Sequence, residues 1–309
     1  MEIPASRPAR RTVSLLPAAT EIVAFLGATE QLVGITHECD YPDVVKSRAR
    51  VTSSLLPHTG DPGAIDAAVR ALSGAGHALY TMNATLIASL HPELLLTQAL
   101  CDVCAIHEED VRALAARLQP VPQMVTLGGT SLDGVYADIQ AVATAMDARD
   151  EAEELLAGLR DRVAHVHAVL KAAKAPRPRV LLLEWTDPIF LAGHWGPEQI
   201  KRAGGLDVLG TAGAHSTTET MDALIAADPE MVLFAPCGYA LAASVAEAER
   251  CLSLPQWSWL ATRQLWALDA NGLVSRPGPR IVDGIEAMAR IFHPTLFTAI
   301  DPQHAVRVR

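Results

Sequence analysis

The chain is short of cysteine, of basic charge and of long apolar runs, and each shortage removes a class of protein. Its five cysteines are odd in number and scattered, except for one C-x-x-C. That pattern does not build the disulfide framework of a small secreted domain. Cys237 and Cys251 are therefore expected in or near packed elements. Lys and Arg total 25 against 35 Asp and Glu, a net charge of -10. With no dense Lys/Arg stripe to offset that acidity, no nucleic-acid partner is expected. No stretch reaches the roughly 18 uninterrupted apolar residues of a membrane span, so the chain does not read as a membrane protein. The opening M-E-I-P-A-S-R-P-A-R-R carries positive charge, but Val13 to Leu16 is a short apolar run interrupted by Pro17. Nothing there reads as an export signal, and the expected location is the cytoplasm. Missing too are the G-x-S-x-G elbow, H-E-x-x-H and the P-loop glycine–lysine motif.

What the chain does have is a strand–helix rhythm. T-V-S-L-L-P reads as a strand ending at Pro17, and A-A-T-E-I-V-A-F-L-G as a helix with Ile22, Val23 and Leu26 on one side and Gly27 as its stop. Q-L-V-G-I-T-H, H-P-E-L-L-L-T-Q and V-P-Q-M-V-T-L follow as strands, with helices expected from Pro62 to Leu72 and over H-E-E-D-V-R-A-L-A-A-R-L. From Leu132 to Ala173 the spacing predicts one long helix, or two end to end. Leu155, Leu159, Val163, Val166 and Leu170 form its apolar stripe. The rhythm then resumes through R-V-L-L-L-E-W and M-V-L-F-A-P to the closing helix R-I-V-D-G-I-E-A-M-A-R-I-F. The expected fold is α/β: a lobe over 11–134, a connecting helix over 135–173 and a second lobe over 177–302. Such an arrangement implies a ligand cleft between the lobes, lined by loops at the carboxyl ends of the strands.

The chemistry-bearing residues fall in those loops. Pro17 opens the first helix, and Tyr41 closes the H-E-C-D-Y turn after the second strand. Trp185, Asp187, Phe190, His194 and Trp195 follow R-V-L-L-L-E, and Ser275, Arg276 and Arg280 follow the last strand. Large aromatics with a few polar groups suit a small-molecule site. Four further residues, His37, Cys39, Cys101 and Cys104, have the atoms of a zinc or iron site if the fold gathers them. The C-x-x-C could instead be redox-active or form part of a packed wall. His37 and Cys39 also invite a cysteine-nucleophile reading, although no third residue orients them. Gly128 to Ser131 reads as a crossing into the connecting helix rather than a phosphate cradle. With no coherent nucleophile, base and orienter, the chain reads as a binder and not an enzyme. The competing hypothesis is a metal-dependent enzyme using the Cys/His set.

These stretches resemble the helical-backbone class of substrate-binding proteins that serve ABC importers, and its cobalamin-binding branch in particular. The likeness runs from S-L-L-P-A-A-T-E-I-V-A-F-L-G through H-E-C-D-Y-P, H-P-E-L-L-L-T-Q and D-P-I-F-L-A-G-H-W-G-P-E-Q-I-K-R-A-G-G to N-G-L-V-S-R-P-G-P-R. It implies a corrinoid or related tetrapyrrole-like ligand, or a siderophore-type metal chelate. It implies Pro17 and Tyr41 on the first lobe beside the ligand, Phe190 and Trp195 on the second, and Arg276 and Arg280 on the final loop. It also implies docking to a permease through one acidic residue on each lobe, for which Asp66 and Glu219 are the nearest matches. Without an export signal, the expectation is a cytoplasmic homologue whose permease partner is in doubt.

Overall fold

Pro17 and Gly27 show how short-range chemistry sets the first elements. Proline at the first helical position needs no amide donor there, and Gly27 ends the helix in the left-handed region at φ 69°. The computed structural model describes residues 10–56, 62–74, 79–100 and 106–309. In chain order the first elements are β1 (Thr12–Ser14), α1 (Pro17–Phe25), β2 (Leu32–Ile35), β3 (Ala49–Arg50), β4 (Thr52–Ser54), α2 (Pro62–Gly74), β5 (Tyr80–Met82) and α3 (Ala84–Ser89). Next come β6 (Leu94–Gln98), α4 (Glu108–Ala115) and β7 (Gln123–Leu127). The strands β3-β2-β1-β6-β7 form one parallel sheet, and β4 and β5 pair as a separate antiparallel ribbon. The connections run outward from β1 to β3 on one side and from β6 to β7 on the other. The strand order therefore reverses between β1 and β6. Val13, Leu15, Ile87, Leu95, Val111 and Leu114 form a core of this lobe. Glu108, Glu109 and Asp110 occupy the first turn of α4, where carboxylates favour the helix dipole.

Two long helices, α5 (Leu132–Ala145) and α6 (Arg149–Ala173), link this lobe to the next. They fold back on each other rather than standing end to end, with the Arg160 guanidinium 5.3 Å from the centroid of the Tyr136 ring, so neither arrangement expected from the spacing is the one formed. Asp147 breaks the ladder with a left-handed φ of 55°. The buried stripe of α6 is Ala152, Leu156, Leu159, Val163 and Val166.

The second lobe contains β8 (Arg179–Thr186), β9 (Ile189–Leu191), α7 (Gly196–Arg202), β10 (Leu206–Asp207), β11 (Thr217–Thr218), α8 (Met221–Ala226), β12 (Met231–Phe234) and α9 (Leu241–Ser253). It ends with β13 (Gln264–Leu268), α10 (Ala270–Leu273), α11 (Ile281–Phe292) and β14 (Ala305–Arg307). The sheet order is β11-β9-β8-β12-β13-β14, with β10 beside β8. β8, β12 and β13 are parallel, while β9 and β14 run antiparallel to their neighbours. Every residue of β12 is buried, as a parallel strand covered on both faces should be. Phe234 and Trp257 anchor a core with Leu181, Leu183, Val232 and Leu265. Here the reversal of strand order falls between β8 and β12.

The compact units do not follow sequence order strictly. One comprises residues 1–57, 69–128 and 137–155; the other comprises 58–68, 129–136 and 156–309. The first turns of α2 thus belong with the second lobe. Among the described residues, no helix is long and apolar enough to cross a membrane.

Candidate functional site

Where strand order reverses in an open α/β sheet, the two connecting segments diverge and leave a crevice at the carboxyl ends of the strands. In the first lobe that place lies beyond β1 and β6. A recess there is lined by Leu15, Pro17, Thr36, His37, Glu38, Thr52, Tyr80 and Ile106. Pro17 is half-buried at its rim. Tyr41 sits elsewhere, beside Phe25 in the last turn of α1, with ring centroids 6.4 Å apart, and both rings are 39% exposed. A nine-residue helix thus separates Pro17 from Phe25, Tyr41's neighbour.

The H-E-C-D-Y-P segment begins in a turn: the amide of Cys39 donates back to the carbonyl of Thr36 at 3.4 Å. The turn separates the two side chains that an extended segment would align. Cys39 is 1% exposed, its Sγ 3.0 Å from Thr20 Oγ1 and 3.1 Å from Thr36 Oγ1. His37 instead places Nδ1 2.8 Å from Thr52 Oγ1 and its ring 5.5 Å from that of Tyr80. Among the described residues no three His, Cys, Asp or Glu side chains gather as metal ligands. Cys101 and Cys104, the other half of the expected metal set, lie outside the described residues. Of the two remaining cysteines, Cys251 is buried and Cys237 is exposed. Burial pushes the Cys251 thiol up to about 12, with Glu247 acting in the same direction, so it remains a neutral packed group.

In the second lobe the crevice lies beyond β8 and β12. The pairing of these strands continues past the end of β12, with Ala235 N–H donating to Leu183 O and Cys237 N–H to Glu184 O, both at 3.0 Å. Trp185 stands at this edge, half-buried. Its Nε1 donates to Asp187 O at 3.1 Å and to Pro62 O at 3.2 Å, which fixes the indole plane. Asp187 is exposed in the turn to β9. Phe190 is the cross-strand partner of Trp185, which puts the two side chains on one face. Tyr239, absent from the residues expected from sequence, meets Trp185 edge-on with ring centroids 5.5 Å apart. Its position, five residues past β12 in A-P-C-G-Y, was the available signal. Ser275 joins the same corner, its Oγ accepting from Gly238 N–H at 3.2 Å.

His194 and Trp195 belong to a different neighbourhood. Trp195 is 8% exposed and donates from Nε1 to Val274 O at 2.6 Å, so its indole works as core. His194 takes a left-handed φ of 49°, and its backbone pairs with the 213–214 segment through Gly213 N–H to His194 O and His194 N–H to Ala214 O. Burial, helped by His215 nearby, lowers its pKa. Arg276 is 6% exposed. A Cβ at Gly272 would lie 2.4 Å from Asp269 Oδ2 and 2.6 Å from Arg280 Nη1, so both groups close over that glycine. Asp66 and Glu219, the two acids matched to permease docking, fall in the same compact unit, not one on each lobe.

Comparison with known proteins follows the same lines. Residues 13–250 match the family model described as "Periplasmic binding protein". An uncharacterized ABC transporter substrate-binding lipoprotein of Bacillus subtilis is 21% identical over 298 residues, covering 93% of this chain and 81% of its own. A vitamin B12-binding protein of Vibrio cholerae is 22% identical over 279 residues, covering 90% and 87%. A periplasmic heme-binding protein from Pseudomonas aeruginosa shares the fold, with a TM-score of 0.72 at 21% identity, over 96% of this chain and 97% of that one. These matches overturn the cytoplasmic location expected from sequence: the family is one of periplasmic binding proteins, and the structural neighbours carry that description. The expectation had rested on the N-terminal segment. The matching proteins are binding proteins, in keeping with a chain that binds without turnover.

Proposed function

We propose that this chain, which belongs to the periplasmic binding protein family, binds a tetrapyrrole-class ligand, a corrinoid such as cobalamin or a haem, for an ABC importer. The observation that carries the reading is the aromatic edge at the reversal of strand order in the second lobe, where Trp185 and Phe190 share one face. A flat macrocycle gains most from broad apolar and π contact, which such an edge offers. On the first lobe, Pro17 and the half-buried His37 and Tyr80 stand at the corresponding reversal. The relatives whose names print a ligand are described as binding vitamin B12 or haem, which supports the class without choosing its member. The cobalamin branch inferred from sequence is one of these two.

Among the site residues expected from sequence, Pro17, Trp185, Asp187, Phe190 and Ser275 are the ones we propose at the ligand. Tyr41, His194, Trp195, Arg276 and Arg280 act on the surrounding structure. His37 would meet the ligand as part of the recess wall. A resident zinc or iron held by His37 and Cys39 is not part of this reading, because the hydroxyls of Thr20 and Thr36 hold the thiol.

Absorbance titration of untagged protein with haemin and with cyanocobalamin tests the proposal. A saturable one-to-one spectral change with at least one of them is expected, and no change with either would refute it.

A further inference from the structure

Three loops of the second lobe meet at one residue that sequence patterning passed over. Tyr239 follows β12, and its ring meets Trp185, which ends β8, edge-on at 5.5 Å. Its carbonyl accepts from Asn271 N–H at 2.9 Å, within the segment after β13. Its own amide donates to Pro236 O at 2.9 Å, which closes the P-C-G-Y turn. Gly238 supports that turn with φ 77°, a left-handed conformation that a side chain would strain, while its amide donates to Ser275 Oγ. The backbone of Tyr239 is therefore fixed by its own turn and by the segment after β13, while its ring meets Trp185 at the end of β8.

We infer that Tyr239 is a ligand-contact residue and the second aromatic wall of the second-lobe site, set at an angle to the indole of Trp185. The inference rests on the tetrapyrrole reading above and deepens it by naming a contact. Two features carry it together. The side chain stands beside the strand ends where strand order reverses, the place where ligands of open α/β sheets bind. It also remains half-buried at that edge, although its ring packs on tryptophan. An edge-to-face pair forms a corner with two apolar walls. A ring system lying on one wall has its rim against the other. The contribution belongs to the ring and not to the hydroxyl, so phenylalanine should serve in its place.

The test is a titration with haemin and cyanocobalamin of the full chain and of its Tyr239→Ala and Tyr239→Phe variants. Thermal unfolding would be recorded for each, and Tyr239→Leu would replace the alanine variant if that one fails to fold. For whichever ligand the parent binds, Tyr239→Ala is expected to weaken affinity about tenfold or more, with Tyr239→Phe within about threefold of the parent. A folded Tyr239→Ala variant within about twofold of the parent would overturn the inference and leave the ligand class standing. Equal losses in the alanine and phenylalanine variants would also overturn it, since the hydroxyl would then carry the contact. A parent that binds neither compound defeats the ligand reading itself.

Discussion

His293 is 5% exposed, and burial holds its pKa below the ordinary 6.5, as it does for His194 beside His215. The sign of the consequence follows from proton linkage. An unfolded chain takes up protons on these imidazoles near pH 6.5, while the folded chain resists until the pH is lower. Stability should therefore fall as pH drops below about 6.5, until both imidazoles are protonated in the fold as well. Thermal unfolding between pH 7.5 and 5.5 checks this: a His293→Gln variant should show a shallower fall in Tm than the parent, and equal slopes would contradict it. At this scale the sequence was legible in part. Pro17 and Trp185 stand at the strand ends as their positions suggested. Cys39 and Trp195 do not, because a residue type near a loop does not say which way a turn will point it. Cys39 turns inward where Thr36 and Thr20 supply hydroxyl partners, and Trp195 turns inward where the Val274 carbonyl accepts its N–H.

Helix α6 is tied to α11 by one guanidinium. Arg162 donates from Nε to Glu286 Oε1 at 3.0 Å and from Nη2 to Glu286 Oε2 at 2.9 Å, and it also reaches Asp283. This fork of bonds holds the Arg162 pKa above its usual value, with Glu286 the leading cause. Arg162→Ala would leave two half-covered carboxylates facing each other. It should lower stability by about 1–2 kcal/mol, a figure kept small because solvent reaches the guanidinium. Phe234 gives the contrasting case, since it is fully buried between β12 and the Trp257 segment. Phe234→Ala should cost about 3–5 kcal/mol through the cavity it leaves. Denaturant titration separates the two, and a smaller loss for Phe234→Ala than for Arg162→Ala would contradict this ranking. Elements with a strong period were readable: β6, β12, α6 and α11 stand where apolar spacing put them. The edge strands β3, β10, β11 and β14 were not, because two or three residues show no period and their pairing is settled by tertiary contact.

At the scale of the whole molecule, the α/β architecture of two lobes linked by long helices was legible from alternating patterns and the long 132–173 helical region. Two other features were not. The first turns of α2 join the second compact unit, although they lie far earlier in sequence. The cytoplasmic location expected from the N-terminal segment was corrected by family membership. The central claim is that this chain holds a tetrapyrrole without transforming it. Isothermal titration of the untagged protein, in separate runs with haemin and cyanocobalamin, tests it most directly, with the ligand recovered and analysed afterwards. The account predicts one site with a Kd of about 1 µM or tighter for at least one of the two, about 8 kcal/mol of binding free energy, and recovery of that ligand unchanged. Absence of heat and of retained ligand for both compounds, or recovery of a chemically altered macrocycle, would contradict it.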